Sequence, residues 1–313
     1  MADVNGQARG QALMVADALG DVEEAAWGAA AHSGRLEVVE LVNLSCAEQL
    51  GLQPLTLPPR LRPEGGAAGR GADHVKADGL SATDRAILEF GLQFSLDVSS
   101  VTDEQRSALS RMLGDKVAGV ATIIFVMDFI PRVRAALEAL VGDATLIDPA
   151  GPRGVSDDLR LWDALGTFIR DVPQLDALDP ITSELVRLRG ARQHQCRLCK
   201  SLRSRSALLA GADEGMFTDI DDYESSDLSP LQKAALAFTD AMIWTPGHLE
   251  TSAARLAAVA SVEQRVELVL DVTRNALNKI AVALGADAAH VDEGIEIYDV
   301  TADGEVVFGL TLD

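Results

Sequence analysis

The chain has 313 residues, which is enough for one large hydrophobic core or two ordinary ones. It is 48% apolar, 24% charged and only 4% aromatic, and this balance favours packed helices over a β-sandwich. The formal net charge of −21 repels polyanions, so nucleic acid and anionic membrane surfaces are excluded as expected partners.

Helical periodicity dominates the first half of the chain, residues 1–150. Residues that often cap helices mark two of the starts: Ser81, with Asp84 in the first turn, and Thr102, with Gln105 in a capping box. The predicted helices are two or three over about 10–50, one over 81–97, one that opens at Thr102, and one long apolar helix over about 114–141.

Prolines and glycines interrupt this first half at three places. The segment 53–79 is rich in both and has too few apolar residues to form a core, so it is predicted to be a long loop. Pro131 removes one hydrogen bond from the long apolar helix and predicts a kink or a break there. The run IDPAGPRGVSDD, residues 147–158, is the predicted boundary between the two halves.

Residues 151–290 repeat the helical scheme, and residues 291–313 change character. The tail alternates, is rich in Val and Ile, and carries the turn pair Asp303 and Gly304, so it predicts an appended β-hairpin. Ser229 and Ser261 are predicted helix caps. The predicted helices cover about 157–170, 180–194, 196–210, 229–243, 247–258 and 262–284.

A weak internal repeat relates the two halves. LSATDRAILEF at 80–90 resembles LSPLQKAALAF at 228–238, and Arg132 later stands opposite Lys279 at nearly the same offset. These matches indicate a duplication, and the alternative is chance similarity between amphipathic helices. The first half has no pair of cysteines at the matching position, so one half would carry the chemistry and the other the packing.

The chain has three cysteines, Cys46, Cys196 and Cys199. This small, odd number is not a disulfide framework, and neither a signal pattern nor a membrane-length apolar run is present, so we expect a cytoplasmic protein. No flavin or nicotinamide fingerprint is present, and we expect no cofactor. A single cysteine pair with scattered histidines also predicts no metal site within one chain, although a site shared between subunits stays open.

Cys196 and Cys199 form a CxxC pair in the run QHQCRLCKSLRSR, at the start of a helical pattern. This spacing lets the two sulfurs close a disulfide or open to a dithiol. A thiolate is the reactive form, and Arg203 would share the face of both cysteines and stabilise a thiolate if the helix is regular. Glu184, twelve residues before Cys196, is the nearest plausible proton acceptor, and the alternative is an ion pair with Arg187 or Arg203.

His194 precedes the pair by two residues and is a candidate proton relay, a polar cap on the preceding helix, or an exposed side chain. The alternative for the cysteines themselves is a structural role as small apolar residues at helical spacing. Their polar neighbours Gln195, Arg197 and Lys200 favour redox chemistry instead.

Residues of about 155–290 resemble the alkylhydroperoxidase D-like proteins of the carboxymuconolactone decarboxylase superfamily. The resemblance is carried by Glu184 in SELVRLRGA, by the CxxC pair, by LSPLQKAALAF and by the following long helix. It implies an all-α, oligomeric fold, here with two tandem related halves of which the first is degenerate, and we expect a homo-oligomer, either a dimer or a trimer.

The resemblance also implies an activity and site roles. Active members reduce hydroperoxides, so by likeness Cys199 would attack the peroxide, Cys196 would close the disulfide, and Glu184 would belong to the proton relay. The substrate would be a hydroperoxide or a small disulfide, and an external dithiol would reset the pair. This chain has Arg203 and Leu198 where such members carry histidines. The second hypothesis is therefore a binding or scaffold protein that has lost turnover.

Overall fold

In the computed structural model the chain is described over residues 2–62, 79–143 and 161–312. The predicted boundary at 147–158 and most of the predicted loop at 53–79 lie outside these ranges. The described helices are α1 Ala2–His32, α2 Leu36–Leu50, α3 Ala82–Leu96, α4 Asp103–Leu113, α5 Val117–Val141, α6 Leu161–Asp171, α7 Pro180–Gln193, α8 Arg197–Ser201, α9 Arg205–Leu209, α10 Glu214–Asp219, α11 Pro230–Trp244, α12 Glu250–Ala257, α13 Val262–Ala276 and α14 Asn278–Leu284, and the strands are β1 Leu202–Ser204, β2 Glu296–Val300 and β3 Val306–Leu310.

The predicted helix starts are confirmed at the level of hydrogen bonds. The Ser81 side chain accepts the backbone N–H of the third helical residue, and Thr102, Ser229 and Ser261 each form a capping box with a glutamine three residues later. Each cap satisfies an N–H that has no partner within its own helix, so local sequence alone fixes where these helices begin.

Two predicted helices differ in detail from the observed ones. α5 continues through Pro131 without the predicted break. Its neighbours Ile130 and Val133 are both buried in the core, and burying side chains of this size stabilises by about 1.5–3 kcal/mol each, which offsets the roughly 3 kcal/mol that an internal proline costs. The helix predicted over 262–284 is divided at Leu277 into α13 and α14.

The prediction of one helix over 196–210 is wrong. The chain forms the short helix α8, then the strand β1, then the short helix α9. The physical reason is tertiary: β1 pairs in parallel with β2, and the Leu202 carbonyl accepts a hydrogen bond from the Arg187 guanidinium at 2.8 Å. Partners far away in the sequence therefore satisfy backbone groups that a continuous helix would have paired internally.

One hydrophobic core extends through both halves of the chain. Its buried side chains come from α1, α2, α3, α5 and α6 as well as from α7, α11 and α13. A smaller cluster lies beneath α9 and α10 and includes Leu185, Phe217 and Leu236. No helix among the described residues combines the length and apolar character needed to cross a membrane.

The predicted C-terminal hairpin is confirmed, because β2 and β3 pair antiparallel. The turn includes Gly304 at a φ of 83°. A side chain there would meet the Arg170 backbone oxygen at 2.3 Å, so both the conformation and the close approach require glycine. The pairing with β1 makes the sheet three-stranded, with the order β1-β2-β3, and brings the hairpin against the helical body.

Candidate functional site

The cysteine pair follows a tight turn that ends α7. His194 occupies the C-cap position, Gln195 adopts a left-handed conformation with a φ of 55°, and the Cys196 N–H donates to the Ala191 carbonyl at 2.9 Å. This is the pattern of a Schellman ending, in which glycine usually occupies the left-handed position. Gln195 is the only non-glycine residue with a positive φ among those described, so the backbone is unusual directly before the first cysteine.

The two sulfurs are bonded to each other. Cys196 and Cys199 form a disulfide whose Cα atoms are 5.3 Å apart, and the Cys199 N–H lies 3.2 Å from the Cys196 sulfur as its hydrogen-bond donor. Cys196 is 1% exposed and Cys199 is 4% exposed. The pair is thus close enough for a dithiol–disulfide couple, and in the folded chain it is almost completely covered.

Asp287 holds the start of α8. Its carboxylate accepts the Arg197 backbone N–H at 2.8 Å and the Arg197 guanidinium at 2.7 Å, and its carbonyl accepts the Leu198 N–H at 2.9 Å. Burial alone would raise the pKa of Asp287, but the hydrogen bonds from Arg197 outweigh burial and lower it. Asp287 therefore fixes both residues between the cysteines, Arg197 through its ionised carboxylate and Leu198 through its backbone carbonyl.

Glu184 forms the ion pair with Arg187 that the sequence left open as the alternative to a relay. The Arg187 Nε and a terminal nitrogen donate to the two Glu184 oxygens at 2.6 and 2.7 Å. The Ser204 backbone N–H and the Tyr298 hydroxyl complete the set, each at 3.0 Å. Neither cysteine sulfur is among these partners.

Arg187 connects this ion pair to the cysteine turn. It donates to the Cys199 carbonyl at 2.9 Å and to the Leu202 carbonyl at 2.8 Å, and its guanidinium lies 5.1 Å from the centre of the Tyr298 ring. Burial alone would lower the pKa of Arg187, but the neighbouring Glu184 charge outweighs burial. The pKa of Arg187 is therefore raised above its ordinary value, and the guanidinium stays ionised. The charge pair thereby holds the backbone at Cys199 and Leu202, whereas Asp287 holds the backbone between the two cysteines.

Arg203 does not share a helical face with the cysteines, because α8 has already ended. Its guanidinium donates to the Glu214 carboxylate at 2.8 and 2.9 Å and to the carbonyls of Lys200 and Leu202 at 2.9 Å. It also lies 5.1 Å from the centre of the Phe217 ring. The prediction that a regular helix places Arg203 on the same face as the two cysteines is therefore wrong.

His194 is buried, so the exposed alternative is wrong. It lies at the C-cap position of α7, where its backbone N–H donates to the Gly190 carbonyl, and its Nε2 atom has no hydrogen-bond partner among the described residues. A capping role for the imidazole stays a prediction. Burial first, and then the charges of Lys279 and Arg132, hold its pKa well below the usual range. A relay role for this neutral imidazole stays a prediction.

No three His, Cys, Asp or Glu side chains gather as a metal site would require within residues 2–62, 79–143 and 161–312. What the arrangement offers instead is a covered disulfide whose flanking backbone is held by two carboxylates, Asp287 directly and Glu184 through Arg187.

Two proteins of Mycobacterium tuberculosis are similar to this chain. One, from strain CDC 1551 / Oshkosh, bears the name "Uncharacterized protein MT2376", and the other, from strain ATCC 25618 / H37Rv, bears the name "Uncharacterized protein Rv2313c". Each is 47% identical over 233 residues, which cover 73% of this chain and 82% of the mycobacterial protein. The chain belongs to the family of these two mycobacterial proteins. No protein-family model matches it, and no solved structure matches it.

The structure adds Asp287 and Tyr298 to the residues that the sequence indicated, and it selects Arg187 over Arg203 as the ion-pair partner of Glu184. Arg187 had a signal, since it follows Glu184 by three residues and so lies beside it on a helix. Asp287 and Tyr298 had none, because both reach the turn from the C-terminal part of the chain, at sequence separations of 90 and 114 residues from their partners.

Proposed function

We propose that this chain is a thiol–disulfide oxidoreductase in which Cys196 and Cys199 alternate between a dithiol and a disulfide. The observation that supports the proposal is the bonded sulfur pair at the α7–α8 turn, with the backbone between the cysteines held by Asp287 and the Cys199 carbonyl held by Arg187. Fixing that backbone in both states keeps the sulfurs within bonding reach when the bond opens, so the pair closes again readily.

With a hydroperoxide as the oxidant, the dithiol would become a disulfide through a sulfenic acid. A thiolate attacks one peroxide oxygen, the O–O bond breaks, and the leaving oxygen takes a proton and departs as an alcohol. The sulfur is now a sulfenic acid, and the second thiol attacks it, forming the S–S bond and releasing water. An external dithiol then returns two electrons by disulfide exchange.

The family resemblance and the hydrogen bond within the cysteine pair favour different attacking sulfurs. The family resemblance assigns the attack to Cys199. The Cys199 N–H donates to the Cys196 sulfur in the disulfide, and the same hydrogen bond in the reduced pair would stabilise negative charge on Cys196 instead, because an N–H donor favours a thiolate over a thiol. The resemblance and the hydrogen bond therefore predict opposite results in single-cysteine variants.

Glu184 takes a positioning role in this proposal. Its two oxygens hold Arg187, the Ser204 N–H and the Tyr298 hydroxyl, and Arg187 holds the Cys199 carbonyl. Because both sulfurs are nearly covered, the favoured oxidants are small hydroperoxides, and a protein disulfide would need the turn to open first.

The test is a count of free thiols. The reduced protein is mixed with a small alkyl hydroperoxide, and the expected result is the loss of two thiols per chain with one equivalent of alcohol released. Cys46→Ala, which removes a buried cysteine outside the pair, should behave like the wild type. Cys196→Ser and Cys199→Ser should each form no intramolecular disulfide, and trapping of sulfenic acid in only one of them identifies the attacking sulfur. Unchanged thiols in the wild type after prolonged exposure would refute the peroxidase proposal.

A second candidate function is a binding or scaffold role without turnover. It is favoured by the coverage of both sulfurs and by Arg203 and Leu198 standing where active relatives of the resembled type carry histidines. The alkylation rate of the reduced pair as a function of pH separates the two functions. A sulfur that titrates well below the ordinary pKa of about 8.5 supports catalysis, and one that titrates near it supports the scaffold.

We also propose that the fold is a duplicated alkylhydroperoxidase D-like bundle that assembles as a dimer or trimer. Arg132 and Lys279, which the sequence repeat places opposite each other, both form salt bridges with Asp128, and this convergence supports a duplication. Light scattering on the purified protein measures the mass of the assembly, and a monomer at all concentrations would contradict this part.

A further inference from the structure

A pocket opens where the C-terminal ends of α3 and α11 approach α7 and α14. It contains about 250 Å³ of empty space, open solvent at its mouth included. His194, Lys279 and Arg132 line it, and Trp244 and Leu96, which are 42% and 48% exposed, stand at its mouth. The enclosed part has room for about one water-sized group, so a single oxygen of a ligand fits inside and the rest of the ligand would lie toward the mouth.

Three charged side chains meet beneath this pocket. The Asp128 carboxylate accepts from Arg132 at 2.8 Å and from the Lys279 Nζ at 2.5 Å, and the Ser95 hydroxyl donates to it at 2.7 Å. Asp128, Arg132 and Lys279 are each only 1–3% exposed. Among the described residues, this buried cluster has two cations and one carboxylate, and a net buried charge is unfavourable. Burial first, and then the charge of Arg132, lower the pKa of Lys279, as expected for an excess of positive charge. Asp97 also lines the pocket, but it is half-exposed and its carboxylate accepts from the Ser99 and Ser100 hydroxyls.

The hydrogen bonds show which donors are still available. Arg132 uses its guanidinium on Asp128 and on backbone carbonyls, including those of Ser95 and Ile243. Lys279 has three N–H groups and gives one to Asp128, while its Nζ lies 4.7 Å from the centre of the Phe94 ring. Within the part of the chain that the structure describes, the remaining N–H groups of Lys279 and the unpartnered His194 Nε2 are polar groups of this pocket without a hydrogen-bond partner.

We propose that this pocket binds a small monovalent anion of carboxylate type, held by the Lys279 Nζ and the His194 Nε2. Such an anion supplies the counter-charge that the cluster lacks and accepts hydrogen bonds from both groups. The low pKa of His194, caused by burial and then by Lys279 and Arg132, agrees with a positive potential at this point. A neutral imidazole with its hydrogen on Nε2 donates to an anion without adding charge. Trp244 and Leu96 at the mouth suit a short apolar tail. This inference is independent of the cysteine chemistry.

The experiment measures the thermal unfolding temperature of the full chain against the concentration of sodium formate, with sodium sulfate holding the ionic strength constant. Formate should raise the unfolding temperature in a saturable way, because a ligand that binds only the folded state stabilises it. Formamide has nearly the shape of formate without the charge and should have no such effect. An equal shift with formamide, or no saturable shift with formate, would overturn the proposal.

Two variants assign the effect to the pocket. Lys279→Met removes the unbalanced charge but keeps the Asp128–Arg132 ion pair, and it should abolish the formate response. Lys116→Met is the matched control, since Lys116 lies in an exposed turn outside the pocket, and it should respond like the wild type. His194→Leu keeps every charge of the cluster and should weaken formate binding about tenfold. A response that survives in both Lys279→Met and His194→Leu would refute the site.

Discussion

Glu267 offers a direct test of the electrostatics of the core beside α7. It lies on α13, is 3% exposed, and accepts the backbone N–H groups of Ala177 at 2.7 Å and Leu178 at 3.2 Å. Burial first, and then the neighbouring charge of Asp271, raise the pKa of Glu267 to about 8. The change we consider is Glu267→Gln, which resembles the protonated carboxyl at every pH.

The sign of the effect follows from proton binding. Between its ordinary pKa and about 8 the folded chain holds a proton on Glu267 that the unfolded chain has released, so stability falls as pH rises through this window. Each pKa unit corresponds to about 1.4 kcal/mol, so the Glu267 contribution to the free energy of unfolding should drop by about 2–3 kcal/mol between roughly pH 5 and pH 7. Glu267→Gln should remove this drop and leave the variant more stable than the wild type above neutral pH.

Urea unfolding at a series of pH values measures the effect, read as the difference between wild type and variant so that other titrating groups cancel. Glu293→Gln is the control, because Glu293 is exposed and the same charge is removed. The difference curve for Glu293→Gln should be nearly flat. A wild-type slope that persists unchanged in Glu267→Gln would show that this carboxyl is ionised throughout and that the reasoning is wrong.

Three further changes probe the cysteine turn. Gln195→Gly should raise the free energy of unfolding by up to about 1 kcal/mol in urea titrations, since glycine adopts the left-handed conformation without strain. The Gln195 side chain donates to the Arg192 carbonyl and accepts from the Lys200 Nζ, and a loss of stability would show that these two exposed bonds outweigh the strain. Tyr298→Phe should lower the free energy of unfolding by about 1.5–3 kcal/mol, because the hydroxyl donates to the Glu184 carboxylate. An unchanged free energy of unfolding would show that Tyr298 does not support the Glu184–Arg187 pair. Arg203→Gln should leave the alkylation rate of the reduced cysteines within about twofold of the wild type, because its guanidinium is bound to Glu214; a tenfold change would restore Arg203 to the site.

Local signals in the sequence were sufficient for most helices and for the hairpin. Thr102 and Ser261 cap helices through bonds to residues three positions away, and the positive φ of Gly304 in the hairpin turn is a local property that the Asp303–Gly304 pair indicated. The strand β1 could not be predicted in this way. Its three residues lie inside a helical pattern, and they are extended because β2, far along the chain, pairs with them.

In the candidate site, too, the features set by local spacing could be predicted and those set by tertiary contacts could not. The spacing of Cys196 and Cys199 predicted a pair that could bond, and the structure has that bond. The position of Arg203 was inferred from helical periodicity, which fails once the helix ends at Ser201. The roles of Asp287 and Tyr298 depend on tertiary contacts alone, so no local pattern could have indicated them.

The β2–β3 hairpin has a consequence for the newly made chain. Ribosomes add residues from the N-terminus at roughly 5–20 per second, so about a hundred residues separate the cysteines from Tyr298 by a delay on the order of ten seconds. During that delay the Glu184–Arg187 pair lacks its tyrosine, and β1 has no neighbouring strand. Because the Tyr298 hydrogen bond and the partner strand of β1 both come from this late segment, the Glu184–Arg187 pair and β1 reach their final arrangement only after residues 296–300 have been made.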